Sequence, residues 1–127
     1  MKYLILTLIL ATTAFAEPPD NLLDAIEFVE SRGQSGAVGD KGNAVGAYQI
    51  WKIYVDDVNR ILGQDKYSYD DRWDKGKSRE MVRVYLRHYG KGSLESMARI
   101  HNGGPNGWKK ESTKKYWLKV KARMEAQ

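Results

Sequence analysis

The sequence predicts a mainly α-helical domain of about five helices with one small glycine-rich excursion into β structure. Over most of the chain, apolar residues recur at steps of three and four, the period of an amphipathic helix. Residues 33–47 are the exception, because five glycines in fifteen residues favour tight turns and a small hairpin over a helix.

The first residues predict a secretory leader. Residues 1–3 form a basic tip, residues 4–10 form an apolar run too short to span a bilayer comfortably, and residues 14–16 read Ala-Phe-Ala, a signal-peptidase pattern. A retained membrane anchor is the competing interpretation. We expect residues 1–16 to be cleaved, residues 17–127 to form the functional domain, and the protein to be periplasmic or extracellular without a stable membrane anchor.

Composition narrows the class of partner. The 127 residues fit one domain, and a chain without cysteine has neither a disulfide framework nor a lipoprotein anchor. The leader holds one lysine and no acid, so the net charge of +5 falls to +4 after cleavage. Anionic cell-wall polymers suit such a secreted protein better than nucleic acid does. With two histidines and no His-x-x-His cluster, we expect no metal and no cofactor.

Turn and capping residues divide the periodic stretches into helices. Asp20 is the expected N-cap of the first helix, and Gly33 is its expected stop. Ser78 is the expected cap of the third helix, after a mostly irregular segment. In order, the expected helices cover residues 20–33, 48–62, 78–89, 93–102 and about 113 to the end.

Glu30 is the chemically unusual residue of the first helix. At 100° per residue, Leu23, Ile26 and Val29 fall on one side, and Glu30 points out of the same apolar stripe. An ionised carboxylate is costly there, and a carboxyl that holds its proton near neutral pH can act as a general acid. The competing interpretation is a frayed helix end, with Glu30 bent into water or paired with Arg32.

Three short motifs, in order, carry a family resemblance. Residues 30–31 read Glu-Ser, residues 39–50 read GDKGNAVGAYQI, and residues 101–104 read His-Asn-Gly-Gly. Together they resemble the lysozyme superfamily, and most nearly its soluble lytic transglycosylases and goose-type lysozymes, glycoside hydrolase family 23. The resemblance covers most of the chain after the leader and implies a lysozyme-like fold.

The resemblance also implies roles for particular residues. Glu30 would be the catalytic acid, with Ser31 holding the hydrogen bonds around it. Gln49 would line the cleft floor beside the sugar at the scissile bond, and Asn102 would orient the substrate or Glu30 from the far wall. Tyr116 would face the same site.

The chain departs from the family at three positions. Tyr48 stands where the family has Met, and His101 stands where the family usually has Tyr, which places a titratable group near the acid. Trp51 occupies a place where the goose-type branch often has Asp, so Asp40 alone matches the two acids proposed there to hold a water. The resulting substrate-binding candidates are Ser31, Tyr48, Gln49, His101, Asn102 and Tyr116, and the catalytic candidates are Glu30 and Asp40.

The resemblance implies a muramidase that cleaves the β-1,4 bond between N-acetylmuramic acid and N-acetylglucosamine in peptidoglycan glycan strands, and we expect it to act as a monomer. If Glu30 works alone, the sugar's own 6-hydroxyl attacks, as in a lytic transglycosylase, and we favour this route. A hydrolase that inverts would need Asp40 as base, with the carboxyls roughly 6.5–9.5 Å apart. Two non-enzymatic functions compete with these: a wall-binding protein on the same fold, and a cationic protein acting on membranes through its basic last helix.

Overall fold

The structure is a computed structural model that describes residues 16–127, so the predicted signal peptide lies almost entirely outside the described residues. The described part contains five α-helices and one two-stranded antiparallel hairpin, which confirms the predicted fold class. The elements are α1 (Asp20–Ser31), β1 (Val38–Gly39), β2 (Ala44–Val45), α2 (Lys52–Leu62), α3 (Lys75–Tyr89), α4 (Leu94–Gly103) and α5 (Lys114–Ala126). Across residues 16–127, every helix is too short or too polar to cross a membrane.

The apolar faces of the five helices meet in one core. Helix α1 packs against α4 and α5, and α3 packs against α2 and α4. Each large apolar side chain that folding removes from water contributes about 1.5–3 kcal/mol. The fully buried ones include Leu22, Leu23, Ile26, Val55, Val58, Met81, Val82, Leu86, Ile100 and Val120.

The second helix begins four residues later than the apolar period predicts. Gln49 has a φ of 52°, in the left-handed region, which breaks any helix through this point. Ile50 instead pairs with Val45 of β2 through hydrogen bonds of 3.0 and 3.2 Å, extending the hairpin by one bridge. The apolar residues here fit a helical period but belong to the turn that leads into α2.

Two predicted helix caps are wrong. Asp20 is the first residue of α1 rather than its cap, and its carboxylate pairs with Arg79 and Arg83 of α3. The cap of α3 is Asp74, whose side chain accepts from the backbone N–H of Lys77 at 2.9 Å. Ser78 lies buried inside that helix, so its hydroxyl cannot cap the helix start.

Arg72 ties the hairpin to the segment before α3. It lies in the short 3-10 turn Tyr69–Trp73, is buried, and donates to the carbonyl oxygens of Tyr69 at 2.8 Å and Ile50 at 3.1 Å. Gly46 has a φ of 85°, and a Cβ there would lie 1.9 Å from the Arg72 carbonyl oxygen. Only glycine therefore allows the two backbones to approach this closely.

Candidate active site

One cleft of about 770 Å³ brings together residues from five parts of the chain. Glu30 comes from the last turn of α1, and Asp40 and Gln49 come from the hairpin region. The rest of the lining comes from α2 and the residue before it, from one residue of α3, and from the end of α4 and the residues after it. These remaining lining residues are Trp51, Ile53, Tyr54, Asp56, Asp57, Arg60, Tyr85, His101, Asn102, Gly104 and Pro105.

The Glu30 carboxylate is held by a buried histidine. Its side chain is 18% exposed, and its Oε2 lies 3.1 Å from Nε2 of His101, whose side chain has no exposed surface. Helix α1 ends two residues later, where the backbone N–H of Arg32 donates to the Phe28 carbonyl. Within residues 16–127, Arg32 is not within ion-pairing distance of Glu30, so the frayed pair considered from the sequence is wrong.

The partners of His101 determine which nitrogen carries its proton. Nε2 lies 3.0 Å from the Tyr48 carbonyl oxygen, which can only accept, so Nε2 is the protonated nitrogen. Nδ1 lies 3.1 Å from the Tyr54 hydroxyl, which donates to it when the ring is neutral. The neutral ring therefore presents an N–H to Glu30 and has no free lone pair with which to take its proton.

Two tyrosine hydroxyls are buried in the same region. Burial raises the pKa of Tyr54 and that of Tyr116 well above their ordinary values, and the charge of Glu30 acts in the same direction. Both hydroxyls therefore stay protonated. Tyr116 does not line the cleft, and its hydroxyl has no hydrogen-bond partner among the described residues. It is a buried neighbour of the site rather than a substrate contact.

Ser31 and Tyr48 also support the cleft from behind. The Ser31 hydroxyl donates to the Ala47 carbonyl at 2.7 Å, joining the end of α1 to the cleft floor. Tyr48 is fully buried, and its hydroxyl donates to Glu27 at 3.1 Å and accepts from Arg79 at 3.0 Å. Burial raises the pKa of that hydroxyl. Neither side chain lines this cleft, and the hydrogen bonds of both hold the end of α1 and the cleft floor in place.

Gln49 forms a rigid part of the cleft floor. Its Nε2 donates to the carbonyl oxygens of Ala37 at 3.2 Å and Gly46 at 3.1 Å. A Cβ on Gly39 would lie 2.3 Å from the Gln49 Oε1, so the side chain packs directly on that glycine. A left-handed φ on a residue with a side chain costs about 1–2 kcal/mol, which these contacts offset. Gln49 and Asn102 both line the cleft, as the sequence predicts.

Asp40 lines the cleft from the 3-10 turn Asp40–Gly42 and is exposed. Its Oδ2 accepts a hydrogen bond of 3.3 Å from the indole N–H of Trp51, which is itself 43% exposed. From the sequence, Trp51 replaces an Asp that would assist Asp40 in the goose-type branch. In the folded chain Trp51 is the hydrogen-bond donor to that carboxylate.

Two further carboxylates line the cleft, so the expectation that Asp40 is the only second acid nearby is wrong. Asp57 is paired with Arg60 and accepts from the Tyr89 hydroxyl, and Asp56 accepts from the Tyr69 hydroxyl at 2.8 Å. Their sequence signal is the polar face of α2, opposite its buried residues. Within the described range, no three potential ligands form a metal cluster.

Comparison with solved structures shows that the fold is similar to that of lysozymes. The lysozyme of Meretrix lusoria, in a complex with PliI of Aeromonas hydrophila, superimposes with a TM-score of 0.70 at 30% identity, over 82% of this chain and 88% of that one. The lysozyme of Tapes japonica gives a TM-score of 0.67 at 28% identity, over 80% and 87%.

Sequence relatives identify the branch. Invertebrate-type lysozyme 6 of Caenorhabditis elegans is 32% identical over 99 residues, which cover 68% of this chain and 72% of the relative. The chain belongs to the invertebrate-type lysozymes. The comparisons thus support the lysozyme part of the sequence resemblance and not its assignment to the soluble lytic transglycosylases or the goose-type branch. No protein-family model matches the chain.

Matches to oyster proteins are shorter. A lysozyme of Ostrea edulis is 37% identical over 81 residues, and lysozyme 1 of Crassostrea virginica is 48% identical over 42. The chain covers 57% and 23% of the lengths of these two relatives.

Proposed function

We propose that the protein is a lysozyme that hydrolyses the β-1,4 bond between N-acetylmuramic acid and N-acetylglucosamine in peptidoglycan. Glu30 is the general acid, and Asp40 is the second carboxylate. One observation carries the proposal: Glu30 and Asp40 line the same cleft, and each accepts a hydrogen bond from its own donor, His101 and Trp51 respectively. The lysozyme names of the relatives agree with it.

Proton delivery is the task of Glu30. Because its Oε2 accepts from the His101 N–H, the acidic proton resides on Oε1, the oxygen free to meet the leaving glycosidic oxygen. As the bond breaks, the carboxylate that forms keeps its hydrogen bond from His101, which stabilises the new negative charge. His101 is therefore a positioning residue, since it acts on the substrate only through Glu30.

Asp40 serves the other half of the reaction. Cleavage passes through a state with positive charge on the anomeric carbon and ring oxygen, which an ionised carboxylate stabilises. Water then attacks the anomeric carbon and gives its proton to Asp40, which acts as the general base. The indole N–H of Trp51 donates to the Asp40 carboxylate and orients it. Asp57, by contrast, is already paired with Arg60 and bonded to Tyr89, so its charge is engaged elsewhere.

The sequence favours a lytic transglycosylase. We propose hydrolysis instead, because the Trp51 indole N–H donates a hydrogen bond to Asp40. The preference for the transglycosylase rested on an unsupported Asp40, and Trp51 removes its basis. The two routes differ in product, because water leaves a reducing muramyl end and the 6-hydroxyl leaves a 1,6-anhydro end. The secreted location and the monomeric state remain predictions from the sequence.

The test is digestion of purified peptidoglycan, followed by mass spectrometry of the muramyl termini. We expect reducing termini from the wild type and no products from Glu30→Gln. Anhydro termini would overturn the hydrolase in favour of the transglycosylase. If walls are bound or cells are killed without any bond cleavage, the protein is a wall-binding or membrane-active protein and the proposal fails.

A further inference from the structure

A second pocket, of about 600 Å³, lies between the last turn of α1 and helix α5. Glu30 borders it as well as the cleft, so the two cavities share the catalytic acid as a common wall. We call this second cavity the basic pocket. Its lining residues are Phe28, Val29, Glu30, Ser31, Arg32, Lys119, Ala122 and Arg123.

The basic pocket holds three cations without carboxylate partners. Within residues 16–127, neither Arg32 nor Lys119 nor Arg123 takes part in a salt bridge. The Nε of Arg123 is buried and has no hydrogen-bond partner in the described part of the chain. A buried N–H donor without a protein acceptor is costly, and the acceptor oxygen of a ligand bound in the pocket would satisfy it.

An aromatic ring fixes the two guanidinium groups at the pocket. The Arg123 guanidinium carbon lies 3.7 Å from the centre of the Phe28 ring, and that of Arg32 lies 5.7 Å from it. Attraction between a cation and the ring face limits the freedom of both side chains. Arg32 also keeps a left-handed φ of 55°. Held in this way, the guanidinium groups suit the oxygens of a carboxylate, because their N–H donors match its geometry.

We propose that the basic pocket binds the carboxylates of the stem peptide on the muramyl residue next to the scissile bond. This inference rests on the proposed function. Since Glu30 lines both cavities, a group bound in the basic pocket lies next to the cleft, within reach of a substituent on a sugar bound beside Glu30. The N-acetylated sugars of the glycan carry no charge, whereas the lactyl group of the muramyl residue bears a peptide with free carboxylates. The pocket therefore gives the enzyme a preference for peptide-bearing strands over bare glycan.

The experiment compares soluble glycan strands that carry stem peptides with the same strands after an amidase has removed the stems. We expect Arg123→Gln to lower kcat/KM on stem-bearing strands about tenfold, the worth of a hydrogen bond between charged groups. Lys119→Gln should cost about threefold, because its side chain is exposed. Both variants should match the wild type on stripped strands.

Lys121→Gln is the matched control, because it removes the same charge from the same helix outside the pocket lining. It should match the wild type on both substrates. Circular dichroism checks folding, and Lys119→Gln keeps the test valid if Arg123→Gln fails to fold after losing its contact with Phe28.

Equal losses on both substrates, or no loss on either, would overturn the proposal for the pocket. A loss seen only on walls that retain phosphate-rich polymers, and unaffected by removal of the stems, would also overturn it, because the ligand would then be phosphate. If the wild type cleaves neither substrate, the proposed function itself fails, and that result is distinct from all of these.

Discussion

Two carboxylates that line the same cleft, Glu30 and Asp40, are held in opposite ways. Glu30 lies at the end of a twelve-residue helix, and its partner His101 is fully buried and bonded at both ring nitrogens. Asp40 lies on a short exposed turn at a φ of 48°, and its one side-chain hydrogen bond comes from a half-exposed indole.

We call Glu30 and His101 the fixed wall of the cleft, and Asp40 and Trp51 the adjustable wall. A general acid must meet the leaving oxygen within hydrogen-bond reach, so fixing Glu30 prepares that geometry before substrate arrives. A carboxylate that stabilises developing positive charge acts through its field, which falls off gradually with distance. Asp40 can therefore act from a loop. Substitutions on the two walls test whether the two carboxylates differ in this way.

Loss of the fixed acid should have the largest effect. Glu30→Gln keeps the shape and an acceptor for His101 but has no proton to give, so kcat should fall at least ~1,000-fold, within the range for general acids. Hydrolysis of purified peptidoglycan measures it, and an unchanged circular dichroism spectrum serves as the control. Activity within tenfold of the wild type would refute the assignment of the acid.

Removing the charge of Asp40 should lower kcat less than removing the acid Glu30. Asp40→Asn retains an acceptor for Trp51 and a residue that tolerates left-handed φ, so the fold should be unaffected. We expect kcat to fall on the order of a hundredfold. Asp56→Asn is the control, since it removes the same charge from the same cleft and should stay within about threefold. Equal effects of the two variants would show that Asp40 has no special role.

Removal of the buried histidine should affect both activity and stability. His101→Phe leaves the Tyr48 carbonyl and the Tyr54 hydroxyl without their partner, at a cost of about 1–3 kcal/mol in the free energy of unfolding. If His101 positions Glu30, kcat should fall about tenfold while KM stays the same. Denaturant titration and steady-state kinetics measure the two effects.

His88→Phe provides the comparison for that variant, because His88 is the chain's other histidine and is exposed on α3. It should change neither quantity. A rise in KM for His101→Phe with kcat unchanged would instead make His101 a substrate-binding residue.

The hydrogen bond from Trp51 to Asp40 can be removed without changing Asp40 itself. Trp51→Phe keeps an aromatic ring and deletes the N–H that reaches Asp40, so kcat should fall about fivefold, the worth of one modest hydrogen bond. Thermal unfolding should be unchanged because the indole is half exposed. If kcat did not change, Asp40 would be held in place without Trp51.

The smallest effect should come from Tyr116. Its buried hydroxyl has no partner among the described residues, so Tyr116→Phe should leave the free energy of unfolding unchanged or raise it by up to about 1 kcal/mol. Peptidoglycan cleavage should stay within about twofold. A large loss of activity would place this hydroxyl in the reaction after all.

Periodicity predicts helix α1 and the apolar side of that helix on which Glu30 lies, but not the hydrogen bond from His101. The apolar stripe of α1 places Glu30 at the edge of the core, and the glycines of residues 33–47 mark the hairpin. Local pattern determines both features, because a helix and a tight turn depend on neighbours a few residues away.

The adjustable wall could not be predicted in the same way, since it depends on contacts between distant residues. The hydrogen bond from Trp51 to Asp40 joins residues eleven positions apart, and Gln49 between them adopts a left-handed φ that a helical period does not predict. Tyr48, adjacent in sequence, points into the core instead of the cleft. Asp56 and Asp57 fit an ordinary solvated helix face in the sequence, and only folding places them on the cleft.

The bond network of Arg72 has a practical consequence for handling the protein. The chain has no cysteine, so the hairpin is tied to the helical body by a guanidinium group on backbone carbonyls and by the close contact at Gly46. These contacts form and are lost without any change in the oxidation state of a thiol. The protein should refold from denaturant without an oxidant or a disulfide isomerase, and strong reductants should leave its cleft intact.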